Sequence, residues 1–206
     1  MIMSRKAIHH LCRADQTLAR LIKKVGPCAL KVGRRRTPFE ALVRAVVHQQ
    51  LNGTAAKTIL SRVLSLYPAG HFPSPEEMLA TPEEQLRRAG LSRAKTAAVK
   101  DLAAKTIAGV VPGGRAIARL DDAKIMERLT CVRGIGPWTV EMLLIFTLGR
   151  PDVLPATDYG VRKGFALTYG RRDLPAPKEL LDYGERWRPH RSIAAWYLWR
   201  SLELPP

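Results

Sequence analysis

The 206 residues carry 34 Lys and Arg against 18 Asp and Glu, a formal charge of +16, with 46% hydrophobic residues. That apolar fraction supports a folded core, in one domain or in two lobes of one chain, and excludes a chain disordered overall. The charge points to a polyanionic partner, nucleic acid before an anionic membrane, while three scattered cysteines (Cys12, Cys28, Cys131) exclude a disulfide framework and fit a reducing compartment.

Almost every segment reads as helix. Asp15 is suited to cap a helix over Thr17 to Val25, with Leu18, Leu21, Ile22 and Val25 at helical spacing. A basic loop, Lys31 to Arg36, precedes Pro38-Phe39, where proline in a first turn opens a run through Gln50. Asn52-Gly53 breaks that run, and Thr54 starts another that ends near Tyr67-Pro68. Ser74-Pro75-Glu76-Glu77 and Thr81-Pro82-Glu83-Glu84 both read as capping boxes opening short helices. Gly90 fits a C-terminal cap, and Ser92 opens a longer helix to Ile107.

Gly109 to Gly114 is turn-rich and reads as an internal seam. Asp122 to Thr130 is a further helix, followed by the dense turn Val132 to Gly136 and an apolar helix from Pro137 to Leu148. Asp158 is placed to cap a helix reaching Tyr169, Pro177 starts one to about Trp187, and the last runs from His190 to Glu203. Clean alternation of a strand type is nearly absent, so the expected fold class is all-α with about ten helices.

The longest apolar run, Met142 to Leu148, is far short of the roughly 20 residues of a membrane span. Met1 to Lys24 lacks the uninterrupted apolar stretch of a signal peptide, so a soluble protein without a membrane partner is expected. Residues 1–36 hold ten Lys and Arg and one acidic residue, Asp15. Each of these cations alone reads as solvated surface, but the cluster favours contact with phosphates. Histidines 9, 10, 48, 71 and 190 form no zinc pattern, and the chain has no phosphate-loop, nucleophile-elbow or dinucleotide motif.

The informative segment is the turn at Val132-Arg-Gly-Ile-Gly-Pro-Trp-Thr-Val-Glu. Gly134 and Gly136 leave no side chain to block approach to the amides of the helix that Pro137 starts, an arrangement that favours an anion such as a DNA phosphate. A bare pair of glycines also serves a plain helix–helix turn.

This stretch, followed by Leu154-Pro-Ala-Thr-Asp-Tyr-Gly-Val-Arg-Lys, resembles the helix-hairpin-helix DNA glycosylases, and within them the alkylbase branch, DNA-3-methyladenine glycosylase II. Val47-His-Gln-Gln-Leu-Asn-Gly-Thr-Ala-Ala-Lys, Gly90-Leu-Ser-Arg-Ala-Lys and Trp187-Arg-Pro-His-Arg-Ser-Ile-Ala-Ala-Trp-Tyr-Leu-Trp extend the resemblance from about Pro38 to Leu204. It lacks the N-terminal β-rich domain of the longer bacterial relatives and is similar to the compact form, whose missing DNA contacts the Lys31 to Arg36 stretch is placed to replace.

The resemblance implies a single glycosylase domain over residues 1–206, with two lobes around a DNA-binding cleft. Lobe one is residues 38–150, including the hairpin 129–141, and lobe two is residues 1–37 plus 151–206. The implied activity is base excision repair: a damaged nucleotide in double-stranded DNA is flipped, and an alkylated purine (3-methyladenine or 7-methylguanine) is removed hydrolytically. Asp158 matches the catalytic aspartate, though it equally fits a helix cap. Trp138, Trp199 and Met142 fall at base-pocket positions, with Met142 standing where the best-known relatives have tyrosine; Trp196 reads as core.

Trp138 also occupies the position where lyase members carry a Schiff-base lysine, which implies a monofunctional enzyme without AP lyase activity. Gly134, Gly136, Arg133 and Lys163 are implied DNA-backbone contacts. Gln50, Leu51, Asn52 and Leu91 are candidates for the wedge that fills the gap left by the flipped base. The resemblance implies no required cofactor, a structural Na+ or K+ on the backbone carbonyls of Thr130, Val132 and Ile135, and no iron–sulfur cluster, for which three cysteines are too few. It also implies a monomer, cytoplasmic and nucleoid-associated in a bacterium or nuclear in a eukaryote. The alternatives are the same fold acting on hypoxanthine, ethenoadenine or an oxidised purine, or a non-catalytic module that binds damaged DNA.

Overall fold

The computed structural model describes residues 5–33, 36–68 and 71–205. Arg34 and Arg35, in the middle of the basic Lys31 to Arg36 stretch, lie outside the described residues. Among the described residues there are thirteen α-helices and no strand, which bears out the all-α expectation with a few more, shorter elements. The chain divides into two compact units, one of residues 1–33 and 144–206, the other of residues 34–143.

The first unit holds α1 (Arg5–Ala14), α2 (Gln16–Val25), a π-helical turn (Leu144–Leu148), α11 (Tyr159–Thr168), α12 (Pro177–Gly184), a 3-10 turn (Glu185–Trp187) and α13 (Arg191–Ser201). A buried carboxylate organises it. Asp15, 5% exposed, caps α2 through Oδ1, which accepts the Thr17 and Leu18 N–H groups at 3.0 and 2.9 Å. Its Oδ2 accepts from the Tyr169 hydroxyl at 2.6 Å, the Tyr183 hydroxyl at 3.2 Å and the Trp187 indole Nε1 at 3.0 Å. The sequence pointed to the cap; the three aromatic donors come from residues more than 150 positions away. Burial and the adjacent Asp15 carboxylate both push the Tyr169 phenol far above its ordinary value, so it donates and stays neutral. Phe165 stacks on Tyr169 at 4.3 Å and meets Tyr183 edge-on at 5.0 Å, completing the cluster.

Helices α11 and α13 approach closely because two glycines of α11 face α13. A Cβ on Gly164 would lie 2.0 Å from the Leu198 carbonyl oxygen, and one on Gly160 would lie 2.9 Å from Trp199 Cδ1. The expected continuous helix from Pro137 to Leu148 instead changes to π geometry at Leu144. There the Phe146 carbonyl accepts the Gly33 N–H at 2.7 Å, and the Leu144 carbonyl accepts the Arg150 N–H, six residues on, at 2.8 Å.

The second unit holds α3 (Pro38–His48), α4 (Gly53–Leu64), α5 (Pro75–Ala80), α6 (Glu83–Arg88), α7 (Arg93–Ile107), α8 (Gly114–Arg119), α9 (Asp122–Thr130) and α10 (Pro137–Leu143). The Ser74 capping box forms as expected, with both reciprocal bonds to Glu77. The second expected box does not form. Pro82 takes the cap position, and the Thr81 hydroxyl turns back to the Glu77 carbonyl at 2.7 Å and to the Tyr67 hydroxyl at 2.9 Å. The expected seam at Gly109 to Gly114 lies inside this unit and only joins α7 to α8; the chain passes between units at residues 33–34 and 143–144.

Replacing Asp15 by Ala removes the α2 cap and leaves three aromatic donors unpaired. The expected cost is about 2–4 kcal/mol, from ~1 for the cap and ~1–3 for the Trp187 indole, the donor whose residue is fully buried. Urea unfolding followed by tryptophan fluorescence measures it; a loss under about 1 kcal/mol contradicts the central role given to Asp15.

Candidate active site

In the first unit, Asp158 sits at the N-cap of α11 and is half-buried. Its Oδ1 accepts the Val161 N–H at 2.8 Å and the Trp199 indole Nε1–H at 2.8 Å. The cap reading is therefore realised, and the same oxygen also takes the Trp199 indole, a contact the sequence did not point to. Trp199 is held in turn by Phe146, whose ring lies 5.7 Å away and tilted 31°, presented by the π-helical turn. Gly160 completes the arrangement, since a Cβ there would press on both the indole and Asp158 Oδ1. Trp196, three residues earlier, is core at 9% exposure. Lys163 is exposed, its ammonium 5.9 Å from the ring centroid of Tyr159, which is 62% exposed beside Asp158.

In the second unit, α9 and α10 flank the hairpin Cys131 to Gly136. Val132 and Ile135 bury their side chains, the Val132 carbonyl accepts the Ile135 N–H at 3.1 Å, and Gly134 takes φ +75 against Ala98. Glycine is required at this left-handed position. A Cβ on Gly136 would meet nothing within 4 Å, so the start of α10 is open. Trp138, in the first turn of α10, is 42% exposed, and Met142 is half-buried one turn on.

The side chains that hold the hairpin were not among the sequence candidates. Asp101 of α7 accepts the Arg133 N–H at 2.7 Å and the Lys105 ammonium at 2.8 Å, and Lys105 also donates to the Cys131 carbonyl at 2.6 Å. Gln49 donates through Nε2 to the Gly134 carbonyl at 2.9 Å. The Asp101–Lys105 spacing of four was the only local signal for this brace. Because Asp101 engages the Arg133 amide, Arg133 has its exposed side chain, not its N–H, available to an anion.

The wedge candidates separate. Leu91 is 3% exposed in the core behind Gly90, so it does not serve as a wedge: its side chain is already buried where it would have to be exposed. Asn52 caps α4, its Oδ1 accepting the Ala55 N–H at 2.8 Å. Gln50 and Leu51 form the exposed tip between α3 and α4. Gln50 is held at φ +56 and Leu51 is 38% exposed. Under this tip, the Lys95 ammonium donates to the Val47 and Gln49 carbonyls at 2.8 and 2.7 Å, and burial lowers its pKa.

The family model of the HhH-GPD superfamily of base excision DNA repair proteins matches residues 43–189. The chain belongs to this HhH-GPD superfamily. It is 40% identical to DNA-3-methyladenine glycosylase 1 of Schizosaccharomyces pombe strain 972, over 97% of this chain and 88% of that one. It is 32% identical to the alkylbase DNA glycosidase-like protein mag2 of the same organism, over 97% and 94%. The solved S. pombe 3-methyladenine DNA glycosylase in complex with abasic DNA superposes with a TM-score of 0.87 at 40% identity, covering 97% of each chain. A Bacillus halodurans DNA-3-methyladenine glycosidase structure does so with a TM-score of 0.85 at 31% identity, covering 94% and 88%. The matched residues include the turn between α9 and α10 that α7 braces.

Asp101 supplies a pH test. Burial raises its pKa, but the Arg133 N–H and the Lys105 ammonium outweigh that and hold it below its ordinary value. A carboxylate lowered on folding stabilises the native state above its unfolded pKa, and the contribution is lost as pH falls through the folded pKa. Between about pH 5 and pH 3, the melting temperature of Asp101→Asn should therefore fall less steeply than that of the parent. Parallel curves would contradict the brace.

Proposed function

We propose that this chain is a base excision DNA glycosylase that flips alkylated purines, 3-methyladenine and 7-methylguanine, out of duplex DNA and releases them by hydrolysis without cutting the strand. The observation that carries the reading is the Asp158 carboxylate, fixed by the Val161 N–H and the Trp199 indole. The names of the relatives support the substrate class.

The chemistry asks for little more than a fixed anion. An N3- or N7-alkylated purine is already cationic, so the C1′–N bond breaks with its electron pair passing to the base, which leaves neutral. Positive charge develops on the sugar, and Asp158 stabilises it or takes a proton from the attacking water. Trp199 acts through Asp158: its N–H fixes the plane of the carboxylate, and Phe146 and Gly160 fix the indole. Trp138 supplies the exposed indole face for the cationic base, with Met142 one turn on, where a tyrosine would add a second ring. Trp138 in place of a lysine leaves no amine to form a Schiff base, hence release of the base without lyase cleavage.

Gln50 and Leu51 fill the gap left by the flipped nucleotide, since they are the wedge candidates that are exposed and uncommitted to a cap. Gly134, Gly136 and the Arg133 and Lys163 side chains meet phosphates. For a monovalent cation, Na+ or K+, the donors are the Thr130, Val132 and Ile135 carbonyls. Thr130 closes α9, so its carbonyl lies at the negative end of that helix, and the Val132 oxygen keeps a second lone pair beside its bond to Ile135. Such an ion would neutralise the carbonyl dipoles and bring positive charge to the hairpin. The protein works as a monomer where DNA is, in the nucleoid-bearing cytoplasm or in a nucleus. Among the described residues, no helix is long and apolar enough to cross a membrane.

Asp158→Asn on a duplex containing 7-methylguanine should lower single-turnover base release by ~10²–10⁴-fold, with strand breaks from the parent enzyme appearing only after alkali. Equal release by the variant removes Asp158 from the mechanism, and release of hypoxanthine or ethenoadenine alone moves the substrate class. Trp199→Phe keeps the ring and deletes the N–H. Release should slow by about 10–100-fold, the worth of one charge-assisted hydrogen bond, while affinity for abasic-site DNA stays within about twofold. Loss of affinity with an unchanged rate would make Trp199 a pocket wall instead.

A further inference from the structure

We propose that α1 and α2 form a second nucleic-acid surface, one that grips the phosphates of undamaged duplex DNA apart from the site that holds Asp158. The two helices expose Arg5, Lys6, Arg13, Arg20, Lys23 and Lys24. Their one acidic residue, Asp15, is turned inward to its five donors. Among the described residues, none of these six cations lies within ion-pair distance of a carboxylate.

Elsewhere in the same unit several basic side chains are paired locally. Arg171 pairs with Glu179, Lys178 with Asp182, Arg188 with Asp152 and Glu185, Arg191 with Asp152 and Glu185, and Arg200 with Glu203. On this helical pair, by contrast, all six basic side chains are left without an ion pair; among the described residues the unit's other basic side chains without one, Lys31, Arg162, Lys163, Arg172 and Arg186, are scattered, and Arg162 and Arg186 donate to the Pro175 and Tyr183 carbonyls. The unpaired charges are also gathered. Arg5, Lys6, His9, His10 and Arg13 line a hollow of about 680 Å³, and Arg5 and His9 are shared with a second hollow of about 610 Å³ that Lys23 of α2 also lines.

The surface is fixed to the fold at a defined distance from the catalytic aspartate's partner. The His10 ring meets His190 edge-on at 5.4 Å, at the N-terminal end of α13, whereas Trp199 lies nine residues along that helix. At about 1.5 Å rise per residue, the two points are separated by roughly 13 Å along the axis. Phosphates held at α1 and a sugar held at Asp158 thus belong to different nucleotides.

Nucleic acid fits this surface better than a membrane does. A helix that lies on a lipid surface needs an apolar face outside the core. The large apolar side chains of α1 and α2 that point to the core, Leu11, Leu18, Leu21 and Ile22, are buried, and none of the exposed large hydrophobic residues belongs to either helix. What remains outward is charge at phosphate-binding density, which releases counterions on contact with a duplex. The identity of the polyanion as DNA rests on the proposed glycosylase reading; the surface itself does not.

The test compares two triple variants that remove the same charge: Arg5→Gln, Lys6→Gln, Arg13→Gln, and Arg171→Gln, Lys178→Gln, Arg188→Gln. Each is titrated by anisotropy onto a lesion-free duplex of about 25 base pairs between about 50 and 200 mM salt. The α1 triple should lower the slope of log K against log salt by about 2–3, near 0.9 per lost phosphate contact, and the paired-residue triple by less than about 1. Single-turnover base release at saturating enzyme should be unchanged in the α1 triple. Equal slopes for the two triples overturn the proposal, as does loss of release at saturation. So does an unchanged DNA slope accompanied by loss of binding to phosphatidylglycerol vesicles, which would make this a lipid surface. The double variant Arg5→Gln, Lys23→Gln, expected to lower the slope by about 2, serves if the α1 triple does not fold. Because lesion-free binding is read without excision, failure of Asp158→Asn to block release would strike the catalytic reading and leave this result standing.

Discussion

A carboxylate buried at the start of α2 is the constraint from which the first unit follows. Asp15 cannot be left unsolvated, and five donors converge on it: two amides of its own helix, two phenols and an indole. Those donors fix Tyr169 at the end of α11, Tyr183 in α12 and Trp187 just after it. Burial and the adjacent carboxylate hold the Tyr169 phenol protonated, so the network has one stable hydrogen-bond direction.

Helix α11 is consequently anchored at both ends by an aspartate. Tyr169, at its C-terminal cap, reaches Asp15, and Asp158 caps its N-terminus while accepting the Trp199 indole. Gly160 and Gly164 then let α13 come close enough for that indole to arrive. The second unit solves a similar problem at the hairpin, where Gly134 supplies a left-handed turn that cannot hold itself. Asp101 and Lys105 of α7, with Gln49 beyond α3, grip its backbone from outside. In both units the side chains assigned to chemistry are few, and most of the surrounding contacts serve to hold them still.

The same distinction runs through the charge. A formal excess of +16 says only that the partner is anionic. Local pairing in α11 to α13 cancels much of the basic surface there, so the charge that remains available is confined to particular places. This is a property of which side chains reach one another, and composition does not carry it.

Asp158 as a cap, the tight turn at Gly134 and Gly136, the Ser74 capping box and the helical character of the chain were legible because each depends on residues within a few positions of one another. The resemblance of the hairpin and the segment from Leu154 to Lys163 was legible for the same reason, as contiguous strings. What failed or was missed depends on distant contacts. Thr81 abandons its capping box for Tyr67 and the Glu77 carbonyl, Leu91 is core where it was offered as a wedge, and the Pro137 helix turns to π geometry at Leu144, where the Phe146 carbonyl accepts from the distant Gly33 N–H. The sequence by itself determined the helices, the tight turn and the excess of positive charge, since short-range sterics, hydrogen bonding and composition suffice for those. Only the tertiary structure decided that Trp199 would orient Asp158, that Asp101 would brace the hairpin and that α1 would keep its cations unpaired. Those outcomes depend on which surfaces meet across long stretches of chain, and local spacing holds no record of that.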